Sequence, residues 1–308
     1  GIVQKERPEL VLILGGDHVY KMDYGVMLEE HAERGAALSV ACIEVPLEQA
    51  SDFGVMSVDA DGRITAFDEK PAHPRPLPDR PTHALASMGI YVFNADFLAQ
   101  QLAADAANPN SSHDFGQDIL PAAIGAHPVY AHRFASSCVN MVGSEPYWRD
   151  VGTIDAYWEA HMDLTQVVPD LNLYDDSWPI LSLQPQLPPA KFVFDEQGRR
   201  GVAIDSLVAS GCIVSGATVR RSVLFAKVRV DEGSLIEQSA VLPYATVGRR
   251  VTLRRAVIDK YCRLPDGFQA GVDPAADRAR GFHVTERGIT LVVPEMLGQT
   301  FRMDGGAA

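Results

Sequence analysis

Asp17 is the first residue placed for chemistry. It follows five consecutive apolar residues, Leu10 to Leu14, and the pair Gly15-Gly16. So short a run suits a strand buried on both faces of a parallel sheet, and the glycines let the backbone turn sharply at its carboxyl end. Ligands bind at that edge in open α/β sheets. A carboxylate there is either a Mg²⁺ ligand for nucleotide chemistry or the cap of a plain turn. Glu69-Lys70-Pro71 closes another strand. A lysine neutralises phosphate as a point charge and a glutamate accepts hydrogen bonds from sugar hydroxyls; the alternative is a surface ion pair ahead of a proline loop. Asp150, in Trp148-Arg149-Asp150-Val151-Gly152-Thr153, stands just before a helix start. It is a second metal ligand or simply favourable charge at a helix N-terminus. Ser87 can donate to a sugar hydroxyl or satisfy a turn, and Gly54 offers close backbone approach or a bend.

The elements that position these residues follow from pattern. Asp23 to Arg34 reads as a helix capped by Asp23 and ended by Gly35, with Met27, Leu28 and His31 on one side. Ala37 to Val45 is the next strand, so strand, helix and strand form a βαβ unit and imply a parallel pair. Phe53 to Val58, an Asp61-Gly62 turn and Arg63 to Asp68 follow. Prolines at 71, 74, 76, 78 and 81 mark a loop. Met88 to Phe93 is a strand with Ser87 at its start, Asp96 to Ala106 a helix, and further helices start at Asp114 and Thr153. Residues 166–200 carry Pro169, Pro179, Pro185, Pro188 and Pro189 and read as an extended linker packed on its neighbours.

From Leu207 a repeat begins. Leu207, Leu224, Val241 and Ile258 recur every 17 residues, as do Ile213, Val230, Val247 and Leu264, and also Val219, Ile236 and Leu253. Three inward aliphatics per turn, stacked turn on turn, describe a triangular parallel β-helix of hexapeptide repeats. The expected division is 1–165 for the α/β catalytic part, 166–200 for the linker and 201–308 for the β-helix with its tail.

Composition bounds the rest. At 308 residues with 46% apolar and 22% charged residues, and no apolar run near the ~18 residues of a membrane span, a soluble globular protein is expected. A net charge of −13 with dispersed basic residues argues against nucleic-acid binding. Four cysteines, Cys42, Cys138, Cys212 and Cys262, lie far apart and indicate neither zinc nor a disulfide framework, which fits the cytoplasm. The chain starts at Gly1, nine residues before a core strand, and so reads as a fragment.

The order GGDHVY, DFGVM, FDEKP, ASMGIYVFNAD, NSSHDFGQDILP, EPYWRDVGTIDAYWEA, followed by the hexapeptide repeat, closely resembles the ADP-glucose pyrophosphorylase (glucose-1-phosphate adenylyltransferase) family of bacterial glycogen and plant starch synthesis. The resemblance covers essentially the whole chain. It implies a Rossmann-like (GT-A-like) nucleotidyltransferase domain, here incomplete at its N-terminal side, followed by a left-handed β-helix. The implied reaction joins ATP and glucose 1-phosphate to give ADP-glucose and pyrophosphate with Mg²⁺. Carried over, Asp17 matches the catalytic metal-binding aspartate and Asp150 the second metal-associated one. Gly54, Glu69, Lys70 and Ser87 match positions that hold glucose 1-phosphate, with Lys70 on the phosphate. Lys260 matches a basic position for allosteric effectors, and a homotetramer fits the family.

Two departures stand out. The family's glycine-rich, arginine-bearing phosphate loop is absent from these residues, so the polypeptide as written is expected to lack pyrophosphorylase activity. The EML motif at Glu295-Met296-Leu297 has no flanking arginine, Arg302 being the nearby substitute, so altered or weakened activation by fructose 1,6-bisphosphate is expected. Among other classes, a hexapeptide acyltransferase needs a histidine base on its coils, and none occurs between Gly201 and Val272. A non-catalytic regulatory subunit and a thymidylyl- or uridylyltransferase are the remaining alternatives.

Overall fold

The computed structural model describes residues 5–140, 145–196 and 198–300. The chain divides into two compact units, Gly1–Tyr147 and Trp148–Ala308.

The first unit is built on one mixed sheet. Its strands are β1 (Leu10–Ile13), β3 (Leu38–Pro46), β4 (Gly54–Val58), β5 (Ile64–Glu69), β6 (His83–Asn94) and β7 (Val129–Arg133), in the order β5-β4-β6-β3-β7 with β1 also on β6. A short strand β2 (His18–Tyr20) lies outside this sheet. Helix α1 (Tyr24–Glu33) has the expected start, the Asp23 carboxylate accepting from Gly25 N at 2.9 Å. It buries Met27 and His31. The imidazole survives burial because Nδ1 bonds Ser39 Oγ at 2.8 Å and Nε2 bonds Asn94 Oδ1 at 3.3 Å. Burial lowers its pKa.

The expected parallel β1–β3 pair does not form. Both strands are antiparallel to β6, which lies between them: Val11 and Leu38 each pair with Phe93. The β3–β7 pair is parallel. A βαβ pattern fixes relative direction but not adjacency, and the long β6 fills the gap that the α1 crossover spans. Among the described residues β1 has one partner strand in the sheet, and it is only half buried with Leu14 44% exposed, in place of the two-faced burial expected.

Strand β6 starts well before Met88, so Ser87 sits within it. Val40 pairs with Tyr91 but Cys42 with Ser87, so two steps along β3 match four along β6. The excess is a bulge at Met88–Ile90, where Gly89 takes φ 65°. Helix α2 (Leu47–Ala50) leads into β4, and α3 (Ala95–Ala106) follows β6 directly. Beyond α3, Asp114 caps a π-helical turn (Phe115–Ile119) that runs into α4 (Leu120–Ala123).

The second unit opens with β8 (Trp148–Asp150) and helix α5 (Ile154–Asp163), capped by Thr153 Oγ1 on Ala156 N at 3.1 Å. Trp158 of α5 packs with Val257 and Ile289, and its Nε1 donates to Gln238 O at 2.7 Å. From there to Lys191 the chain has no regular element, but the last ten residues of the expected 166–200 linker carry the strands Lys191–Val193, Asp195–Glu196 and Arg199–Arg200. The segment before them is not packed along its length, because Val167, Leu181 and Leu183 stand almost fully exposed.

The repeat is a parallel β-helix with three columns of short strands. It begins earlier than Leu207: Lys191–Val193 already pairs with Ile213–Ser215, and Val202–Ile204 with Thr218–Arg220. Two columns also enter one residue off the expected position. Val208, not Leu207, pairs with Leu224, and Val214, not Ile213, pairs with Val230. The third column, Val219-Ile236-Leu253, stands as read. The reason is a deletion at one corner. Ser215 alone separates Val214 from Gly216, where Asp231-Glu232 separates Val230 from Gly233. Corners are left-handed at Gly216, Gly233, Arg250 and Gly267, at Asp205, Arg221, Gln238 and Arg255, and at Gly211, Lys227, Tyr244 and Tyr261.

Candidate functional site

Asp17 is exposed, and the two glycines before it do different things. A Cβ on Gly15 would lie 2.7 Å from the His18 ring, whereas Gly16 faces open space. Gly15 is therefore required by His18, which folds back beneath the turn and places Nε2 3.6 Å from Asp17 Oδ1. A Cβ on Gly89 would meet the same ring at 3.2 Å. The Gly89 N–H in turn donates to Ser87 Oγ at 3.3 Å. His18 thus links the aspartate to the bulge that holds Ser87.

Gly54 and Glu69 are direct partners across the β4–β5 ladder. Lys70 follows with φ 44° and donates its N–H to Phe53 O at 3.1 Å. A left-handed lysine just before a proline is a costly backbone choice. Gly54 was expected to permit close approach, and the group that approaches is the Phe67 ring: a Cβ there would lie 2.3 Å from Phe67 Cζ.

Residues not anticipated complete the cluster. Tyr91 is hydrogen-bonded to Ser87 and stacks on Phe115, with ring centroids 5.5 Å apart. Asp114 Oδ1 accepts from Gly116 N at 2.8 Å and Gln117 N at 2.9 Å, fixing the turn that carries Phe115. Burial, then the charge of Asp114, raises the pKa of Glu69, with Lys70 opposing. Burial raises that of Tyr91 too, and the charges of Asp114 and Glu69 add to it. The loop before Asp114 is braced: Asp105 accepts from Ser111 and His113, and Ser112 Oγ donates to Asp118 at 2.6 Å. Those bonds, Ser111 foremost for Asp105 and Ser112 for Asp118, hold both carboxyls below the usual range.

The structure therefore gathers Gly54, Glu69, Lys70 and Ser87 with Tyr91, Phe67 and the Asp114–Gly116 turn, and reaches Asp17 through His18. One signal for the missed turn was present: Asp-Phe-Gly occurs at 52–54 and again at 114–116. Asp150 belongs to the second unit, at the end of β8, where its Oδ1 accepts from Gly152 N at 2.9 Å. Lys260 is exposed on a β-helix corner, its N–H donating to Asp259 Oδ1 at 2.8 Å. The EML segment forms a short 3-10 turn, Pro294–Leu297, ended by left-handed Gly298, and Arg302 lies outside the described residues. Among the described residues, no helix is long and apolar enough to cross a membrane.

Comparison with known proteins converges on one chemistry. A nucleotidyl transferase family model matches residues 2–167, and a GlmU-like C-terminal hexapeptide model matches 188–292. The chain is 60% identical over 298 residues to the glucose-1-phosphate adenylyltransferase of Nitrosospira multiformis, covering 97% of this chain and 70% of that protein. It is 61% identical over 298 residues to that of Methylobacillus flagellatus, with the same coverages of 97% and 70%. For that of Nitrosomonas europaea the identity is 58% over 299 residues, covering 97% and 69%.

Proposed function

The chain belongs to the glucose-1-phosphate adenylyltransferase family of nucleotidyltransferases, and on that footing we propose that it serves the reaction ATP plus glucose 1-phosphate to ADP-glucose plus pyrophosphate. The observation that carries the substrate reading is the juxtaposition of Glu69 and Lys70 with Ser87 and Tyr91 around one end of β5. It offers an acceptor carboxylate, hydroxyls and a cation, the groups that a sugar phosphate needs.

In this reading a phosphate oxygen of glucose 1-phosphate attacks the α-phosphorus of ATP and pyrophosphate leaves. No side-chain nucleophile is required, so the protein's part is alignment and charge neutralisation. Lys70 holds the attacking phosphate, while Glu69 and Ser87 engage sugar hydroxyls. Asp17 and Asp150 are the proposed Mg²⁺ ligands; exposed Asp17 offers the hard oxygen donors that this ion prefers. The metal would offset the triphosphate's charge. Further parts of the reading are a place in glycogen synthesis, a cytoplasmic setting, effectors acting at Lys260, and a homotetramer with the β-helix as platform. The proposed functional division is 1–165, 166–200 and 201–308, with the first β-helix strand, Lys191–Val193, falling inside the linker expected from the sequence. The 308 residues alone are expected to be inactive, because they contain no glycine-rich, arginine-bearing phosphate loop.

Calorimetric titration of the purified chain with glucose 1-phosphate tests the substrate reading. Binding is expected to weaken roughly 10–100-fold in Lys70→Ala, the loss of one charge-assisted contact. Unchanged binding in that variant overturns the assignment. Assay for ADP-glucose tests the inactivity, and rapid turnover by the chain alone contradicts it.

A further inference from the structure

The glycines of the two Asp-Phe-Gly tripeptides converge on one atom. A Cβ built on Gly54 would lie 2.9 Å from Glu69 Oε2, and a Cβ built on Gly116 would lie 2.9 Å from the same oxygen. The Phe67 ring closes the space between them, 2.3 Å from the first position and 3.5 Å from the second. The Glu69 carboxylate therefore occupies room that a side chain at either position would take. Neither glycine has positive φ, so backbone conformation does not demand glycine at these sites. Within the helical turn at 116, alanine is the better helix former. The demand is steric: at Gly54 it comes first from the Phe67 ring and then from Glu69, and at Gly116 first from Glu69.

We propose that Gly116 is a positioning residue for Glu69, forming with Gly54 and the Phe67 ring a slot that sets the carboxylate's direction towards sugar hydroxyls. This rests on the sugar-phosphate reading above. Hydrogen bonds weaken steeply as they bend, so a held carboxylate accepts from hydroxyls of one stereochemistry and a loose one accepts from several. The slot thus governs selection among hexose phosphates, while Lys70 governs capture of the phosphate itself.

The test is a mutant cycle in the 308-residue chain, with Gly116→Ala, Glu69→Ala and the double variant titrated with glucose 1-phosphate and galactose 1-phosphate. Gly116→Ala is expected to weaken glucose 1-phosphate about tenfold and to narrow the preference over galactose 1-phosphate. On the Glu69→Ala background it should change affinity less than about twofold, since the group it acts through is gone. Wild-type affinity and preference in Gly116→Ala, or effects that multiply in the double variant, overturn the proposal. Phe67→Leu, which loosens the slot without adding volume, should narrow the preference in the same direction, and an undiminished preference there also counts against it. A ligand-free readout keeps the two readings apart. In carbon-13-labelled protein the Glu69 carboxyl should titrate above the ordinary glutamate range, and Gly116→Ala should return it towards that range by pushing it into water. An unmoved titration overturns the slot whether or not any sugar phosphate binds. A moved titration in a chain that binds no sugar phosphate supports the slot and removes the sugar-phosphate reading.

Discussion

Lys70 couples a strained backbone to a proposed binding role, and the two can be separated. At φ 44° an alanine keeps the strain, whereas a glycine relieves about 1 kcal/mol of it. Lys70→Gly is therefore expected to melt above Lys70→Ala while both bind glucose 1-phosphate equally poorly, as read by thermal denaturation and calorimetry. Equal melting temperatures would show that the conformation carries no strain. Glu69 supplies a pH signature. Its pKa is raised by burial and by Asp114, so it takes up a proton at a pH above that of an ordinary glutamate and then no longer accepts as a carboxylate. Any stability it contributes is present below the unfolded-state pKa and is lost as pH rises through the raised one. Sugar-phosphate affinity should thus begin to fall, on acidification, above the ordinary glutamate range. Glu69→Gln should flatten that limb; the ligand's own titration is common to both proteins and cancels in their ratio. A limb that persists unchanged in Glu69→Gln assigns it elsewhere.

Among the elements, the β-helix depends on polar side chains as well as on its aliphatic columns. Ser206, Ser222 and Ser239 form a ladder in which each hydroxyl donates to the carbonyl two residues earlier, at 2.7, 2.7 and 2.8 Å. Each also accepts the N–H of the next coil: Ser222 N at 3.2 Å, Ser239 N at 3.0 Å and Ala256 N at 3.2 Å. Ser239→Ala removes the acceptor of a buried N–H and should cost roughly 1–3 kcal/mol in urea unfolding. The last coil is closed by Asp277 of α6 (Pro274–Ala279), which is buried and accepts from Gly271 N at 2.6 Å and Thr290 Oγ1 at 2.9 Å. It also pairs with Arg280, whose guanidinium lies 5.4 and 4.7 Å from the Phe268 and Phe282 ring centroids. Asp277→Ala strands these donors and should cost about 3–5 kcal/mol. A loss under about 1 kcal/mol in either variant would mean that the coils re-satisfy the exposed groups.

For the whole molecule, the proposal makes assembly and regulation measurable. Sedimentation velocity should report a homotetramer, and a monomer at micromolar concentration contradicts that expectation. Binding of fructose 1,6-bisphosphate, read by calorimetry, should be weak, because no arginine flanks Glu295-Met296-Leu297 among the described residues. Lys260→Ala should weaken it further. Tight binding abolished by substitutions in residues 294–298 overturns the reading.

The sequence by itself determined what is local or strictly periodic. The caps at Asp23, Asp114 and Thr153 and the helix from Asp23 to Gly35 depend on neighbours a few residues apart, which any reading of the chain can see. The stacked aliphatics at a period of 17 are equally visible, because every coil repeats the same burial demand. Asp17, Glu69 and Lys70 stood out as charged residues at strand ends, but the pattern alone left their roles open, and only the resemblance of the surrounding motifs proposed them. Only the tertiary structure decided the rest, and each case turns on long-range pairing. The insertion of β6 between β1 and β3 depends on which strands bond across the sheet, not on the pattern of any one of them. The one-residue offset of the first coil appears only when Ser215 is set against Asp231-Glu232 in register. The twin glycines around Glu69 take their meaning from two tripeptides far apart in the chain, brought to the same oxygen by folding.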